Sequence, residues 1–352
     1  MRRPRVEDAY RLAWRGARRL PTGLGYALAH TAGTALWARQ RLLPARGGVG
    51  QLERTLARIA PAGTPRRRIR ALSRAGMRSY MRYFYEAFAL PGASAEQIRA
   101  RVRADLPPTL REDLQRGSVV LALAHMGNWD LAGAWASAEL ASVLTVAERL
   151  EPADLFDQFV DFRTSLGMRV IGQGHGEKVF EPLVAAAAER RHLVALLADR
   201  DLSSAGIEAD LLGHTIRAAA GPAALAHRLG APLYATAIHY ERLTGERRRR
   251  AGARWGIVLT LVKVPVPEAT PPGEGRDSGD RGDGSSSGDN SDHSDSAARA
   301  LIAAWTRAWV AALAPSLAEH PEDWHMLQPV YDADLDHERL ARRHAREQEE
   351  SA

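Results

Sequence analysis

The 352-residue chain has no cysteine. That excludes disulfides, thiolate-bound metal centres and a cysteine nucleophile, and it agrees with a reducing compartment. Lysine is nearly missing as well, since Lys178 and Lys263 are the only lysines among 48 basic residues. Aromatic residues make up 6% of the chain, and no uninterrupted apolar run approaches the ~20 residues of a membrane-spanning helix. The opening MRRPRVEDAYRLAWRGARRL is charged where the apolar centre of a secretory signal would sit, so no cleavable leader is expected. Nowhere does a strand pattern lead into the G-x-S-x-G elbow that a serine esterase of α/β architecture needs.

What remains is 45% hydrophobic and 26% charged, ordinary composition with ample material for a core. Arg15, Arg18, Arg19, Arg39, Arg41, Arg46, Arg66, Arg67, Arg68 and Arg70 load the first 70 residues, within a chain of net charge +6. Such a bias suits an anionic partner (nucleic acid, a membrane surface or a phosphorylated ligand) and equally a solvated, arginine-rich surface. Residues 1–100 read as helical. Tyr10, Leu12, Ala13, Trp14 and Ala17 form an apolar stripe flanked by arginine, the pattern of a helix lying in a lipid interface. Residues 21–37 read as a peripheral or buried helix. Residues 77–92 read as a helix ended by Pro91-Gly92, its Tyr80, Tyr83, Phe84, Tyr85 and Phe88 facing the core or, alternatively, a lipid-like ligand.

From residue 101 to 332 the pattern is that of one α/β domain. Short apolar strands at 118–125, 141–148, 168–172 and 192–199 alternate with helices, and longer strands follow at 231–241 and 254–266. This predicts a mainly parallel central sheet flanked by helices on both faces. Functional groups in such sheets gather at the carboxyl ends of the strands. His125, Glu148, the glycines at 172, 174 and 176, and Asp199 all fall there. Residues 268–297, rich in Gly, Ser and Asp, read as a disordered acidic insertion, and 333–352 as a charged tail.

The stretch SVVLALAHMGNWDLAG, 118–133, concentrates the chemistry. A buried run ends on His125, turns at Gly127-Asn128 and enters a helix at Asp130. A strand end, a tight turn and a first helical turn can bring His125 and Asp130 together, with the helix dipole favouring the ionised carboxylate. Asp130 would then hydrogen-bond one imidazole nitrogen and leave the other to take a proton from a substrate hydroxyl. The opposing reading is a strand-end histidine followed by a helix-capping aspartate. VIGQGHGEK, 170–178, lacks the G-x-G-x-x-G of a dinucleotide site and offers at most a phosphate-receiving turn. HPEDWH, 320–325, has no third nearby metal ligand, so no metal is expected, and Trp324 and Met326 are read as closing the fold.

AHMGNWDLAG resembles the H-x4-D block of glycerolipid acyltransferases, in the form found in lipid A lauroyl and myristoyl acyltransferases. AERLEPADLFDQFVDFRTSLGMRVI, LLADRDLSSAGIEADLLGHTIRAAAGPAALAHRLGAPL and HPEDWHMLQPVYD are similar to blocks of actinobacterial phosphatidylinositol mannoside acyltransferases. The resemblance spans about residues 8–332 except the acidic insertion. It implies transfer of a long, palmitoyl-like acyl chain from acyl-CoA to a mannose hydroxyl of a phosphatidylinositol mannoside. The protein would work peripherally at the cytoplasmic face of the plasma membrane, with acyl-CoA as substrate and no cofactor. His125 would be the general base and Asp130 its orienting partner. Asn128, Trp129, Glu148, Arg149, Arg163, Asp199 and Arg200 would surround the substrate; for Arg163 an ion pair with Glu148 is an equal alternative. Competing readings are an acyltransferase on another glycolipid, or a non-enzymatic basic protein binding membranes or nucleic acid. The apolar-flanked basic helix and the lack of a nucleic-acid motif favour lipid.

Overall fold

A computed structural model describes residues 16–17, 19–43, 48–149, 153–174, 177–268 and 289–349. Tyr10, Leu12, Ala13, Trp14, His175, Gly176 and most of the acidic insertion therefore lie outside the described residues. The chain is α/β. Seven strands form one sheet in the order β1 (Val102–Asp105), β9 (Trp255–Val264), β8 (Leu233–Arg242), β2 (Val119–Leu123), β5 (Leu193–Leu197), β3 (Val143–Glu148) and β4 (Arg169–Gln173). Every neighbouring pair is parallel except β8 and β9. A separate antiparallel hairpin joins β6 (Ile207–Leu211) to β7 (His214–Ala218).

Strand β2 shows why the sheet forms. It is buried along its whole length, and successive side chains of a strand point to opposite faces. Val120, Ala122 and Ala124 join one core with Leu313, Leu317 and Trp309 of the helix Asp289–Glu319. Val119, Leu121 and Leu123 join a second core with Tyr83 of the helix Arg66–Ala89 and Leu131 of the helix Trp129–Glu139. A strand buried on both faces must be apolar at every position, and β2 is.

The helix Asp289–Glu319 takes in residues 289–297, which the composition had assigned to the insertion. Its stretch Ser294–Glu319 is the one helix among the described residues long and apolar enough to cross a membrane. Its Trp305, Trp309, Leu313 and Leu317 are nevertheless buried in the sheet core. The helix Thr22–Leu42 covers the 21–37 region and leaves Leu24 and Leu28 about half exposed. The 333–352 tail is anchored at its start, where Asp334 accepts from Arg58 at 2.6 and 2.9 Å and from Gln51 at 2.8 Å.

Candidate active site

Strands β2 and β5 pair in register from Val119 opposite Leu193 to Leu123 opposite Leu197. Two residues beyond, the same offset sets His125 beside Asp199, both at the carboxyl edge of the sheet. The imidazole Nδ1 lies 2.6 Å from Asp199 Oδ1, and the backbone N–H of His125 donates to Asp199 Oδ2 at 3.0 Å. Trp324 Nε1 donates to the same Oδ2 at 2.7 Å. Asp199 is buried, whereas the His125 side chain is 40% exposed, so the pair is anchored on the inside and open on the outside.

Burial opposes charge on the imidazole, but the Asp199 charge and hydrogen bond outweigh it and raise His125 above its ordinary value. Burial likewise opposes the Asp199 carboxylate, and the His125 charge with the three donors holds it below the ordinary range. An ionised Asp199 fixes the proton on Nδ1 and leaves Nε2 as an acceptor.

The expected hydrogen bond between Asp130 and His125 is not made. Asp130 is 1% exposed at the start of the helix Trp129–Glu139 and accepts from Tyr83 Oη at 2.9 Å and Arg163 Nε at 2.8 Å. The turn explains this. Gly127 adopts φ +63°, and a Cβ there would stand 2.3 Å from the Ile238 carbonyl oxygen. The helix starts beneath the histidine and carries Asp130 into the core. Arg163 thus pairs with Asp130, not with Glu148.

Other expected contacts also move. Asn128 is fully buried as a helix cap, its Oδ1 accepting from Leu131 N at 2.9 Å and its Nδ2 donating to Glu86 at 2.8 Å. That leaves it no face for substrate. Glu148 ends β3 exposed, and Arg149 meets Glu177 at 3.4 Å. Glu177 also accepts from Gly174 N at 2.8 Å, taking the turn amide that a phosphate would have used. Arg200 Nε donates to the Pro329 carbonyl at 2.8 Å.

Trp129 does stand at the site, its ring 6.1 Å from the His125 ring and 4.2 Å from that of Tyr83. Below it an apolar pocket follows the sheet face that carries His125 and Asp199. Trp129, Leu121, Leu123, Leu197 and Ile238 line it, as do Asp130 and Arg163. Leu197 is 39% exposed, an unusual state for leucine in a central parallel strand. Asp199 as the imidazole partner was readable in principle: VVLALAH and LVALLAD, 119–125 and 193–199, align residue for residue. Tyr83, Glu86 and Trp324 gave no such signal.

The His–Asp pair thus stands at the carboxyl edge of an α/β sheet, on the face that also carries an apolar pocket. Residues 9–248 match the model of the bacterial lipid A biosynthesis acyltransferases, and the chain belongs to that family. It is 36% identical over 341 residues to a phosphatidylinositol mannoside acyltransferase of Mycolicibacterium smegmatis, covering 95% of this chain and 93% of the relative. To the protein of the same name from Mycobacterium tuberculosis it is 32% identical over 350 residues, covering 98% and 94%.

Proposed function

We propose that this acyltransferase moves a long, palmitoyl-like acyl group from acyl-CoA to a mannose hydroxyl of a phosphatidylinositol mannoside. The acceptor rests on the two mycobacterial relatives; the chemistry rests on one observation, the buried Asp199 holding Nδ1 of a half-open His125. Nε2 takes the hydroxyl proton as the sugar oxygen attacks the thioester carbonyl. The C–S bond then breaks, and the imidazolium returns the proton to the departing sulfur, giving ester and CoA. Asp199 orients the imidazole and stabilises its cationic form. Asp130 acts at one remove, holding the helix that carries Trp129. The apolar pocket beside Trp129, about 80 Å³, suits a few methylenes of the acyl chain. Exposed Leu24 and Leu28 with exposed Arg39 suit peripheral contact with the cytoplasmic face of the plasma membrane.

The test is purified protein with radiolabelled palmitoyl-CoA and a panel of mannosylated and unmannosylated lipids, products read by mass spectrometry. Label should enter only mannosylated phosphatidylinositol. His125→Ala should lower the rate by about 100-fold or more while the protein stays folded. Full activity in that variant would overturn the base assignment.

A further inference from the structure

The carboxylate behind the imidazole is itself held from behind. Oδ1 of Asp199 is occupied by His125 Nδ1, and Oδ2 receives two N–H donors, the His125 amide at 3.0 Å and the Trp324 indole at 2.7 Å. Resting on the acyl-transfer reading above, we infer that Trp324 is a positioning residue of the reaction: its indole N–H keeps Asp199 ionised and in the rotamer that orients His125. The indole nitrogen is a donor only. Two N–H donors on Oδ2 stabilise a carboxylate's charge more than a neutral acid's carbonyl oxygen, so the arrangement favours the ionised form. Buried tryptophan N–H groups usually find a partner; here the partner is the carboxylate that holds the imidazole.

The placement of the indole is set by the backbone. Gly127 N donates to the Asp323 carbonyl at 2.9 Å, and His325 N donates to the His125 carbonyl at 2.8 Å. Met126 and Trp324 thereby form an antiparallel bridge across the turn after His125. The segment 323–325 is tied to the base's own turn, and Trp324, 1% exposed, reaches behind it to the end of β5. Base, carboxylate and indole come from three distant parts of the chain and share one hydrogen-bonded unit.

If Trp324 merely fills space, only its volume matters. Replacing it with β-(3-benzothienyl)alanine by amber suppression keeps the volume and removes the N–H; Trp324→Phe serves as the genetically simple companion. Loss of a hydrogen bond to a charged acceptor should cut kcat by about tenfold or more, while KM for palmitoyl-CoA stays within about twofold, since no ligand contact is lost. Removing a positive dipole raises the proton affinity of the His–Asp pair, so the acid limb of kcat/KM should move up by about half a pH unit. Wild-type kcat with an unmoved limb in the benzothienyl variant would overturn the inference, as would a kcat loss without any limb movement. Asp199→Asn assayed alongside separates the two levels. If it too leaves rate and limb unchanged, the His–Asp reading itself falls; if it is crippled while the benzothienyl variant is not, only the role of Trp324 falls.

Discussion

A histidine working as a base acts from its neutral form, so in the proposed mechanism the groups around His125 decide the pH at which the protein works. Burial opposes the imidazolium and Asp199 favours it more strongly, placing the titration above the ordinary 6.5. The nearby histidines do not compete: burial and neighbouring cations push His325 down to about 3, and burial beside His320 pushes His239 down to about 4. Activity should therefore fall through a single acid limb above pH 6.5 that belongs to His125. Asp199→Asn removes the negative charge, so the imidazole loses its proton at lower pH and the limb moves down, opposite to the shift expected on removing the indole N–H. With the imidazole no longer oriented, kcat should also fall by about 100-fold or more. A pH–rate profile of the variant superimposable on the wild type would refute the pairing.

At the scale of elements, the helix Trp129–Glu139 is the piece that the site depends on. Its start is pinned by the Asn128 cap to buried Glu86, which also accepts from Tyr26 and forms an ion pair with Arg101. Two residues on, Asp130 ties it to the helices Arg66–Ala89 and Ala153–Ser165 through Tyr83 and Arg163. Arg163 is 16% exposed, so Asp130→Ala strands a largely buried guanidinium. Breaking such a pair costs about 3–5 kcal/mol. Urea denaturation should show a loss of that size, and a loss below about 1 kcal/mol would mean that the pair does not anchor the helix. The hairpin of β6 and β7 teaches a different lesson. It turns at Leu212 (φ 57°) and Gly213 (φ 82°), a pairing of positive φ values that usually calls for Asn-Gly or Asp-Gly. Without that dipeptide the hairpin left no local trace.

The whole molecule presents two unlike surfaces. The helix Asp289–Glu319 is apolar enough for a bilayer yet is built into the sheet core, whereas the helix Thr22–Leu42 leaves leucines in water. Leu24 and Leu28, one turn apart, should enter the lipid interface. The double variant Leu24→Glu, Leu28→Glu removes two side chains whose full burial is worth about 1.5–3 kcal/mol each. Partitioning onto anionic vesicles should drop by at least about tenfold while the melting temperature holds. Unchanged vesicle binding would remove this helix from the membrane contact.

Local sequence determined a great deal. Alternating apolar runs and helical stretches specified an α/β sheet with both faces covered, because burial and period are properties of a few adjacent residues. Ending two of those runs on His125 and Asp199 placed both at the carboxyl edge. The partner of each polar side chain was decided only in three dimensions. Asp130, five residues from His125, was the near candidate, yet the turn at Gly127 sends it to Arg163 and Tyr83. Asp199, 74 residues away, became the partner because β2 and β5 are neighbours in register. The stretch 323–325 reached the same place through backbone hydrogen bonds to residues 125–127. Patterning is a short-range property of the chain, whereas a hydrogen bond answers to distance in space, which strand order and packing set.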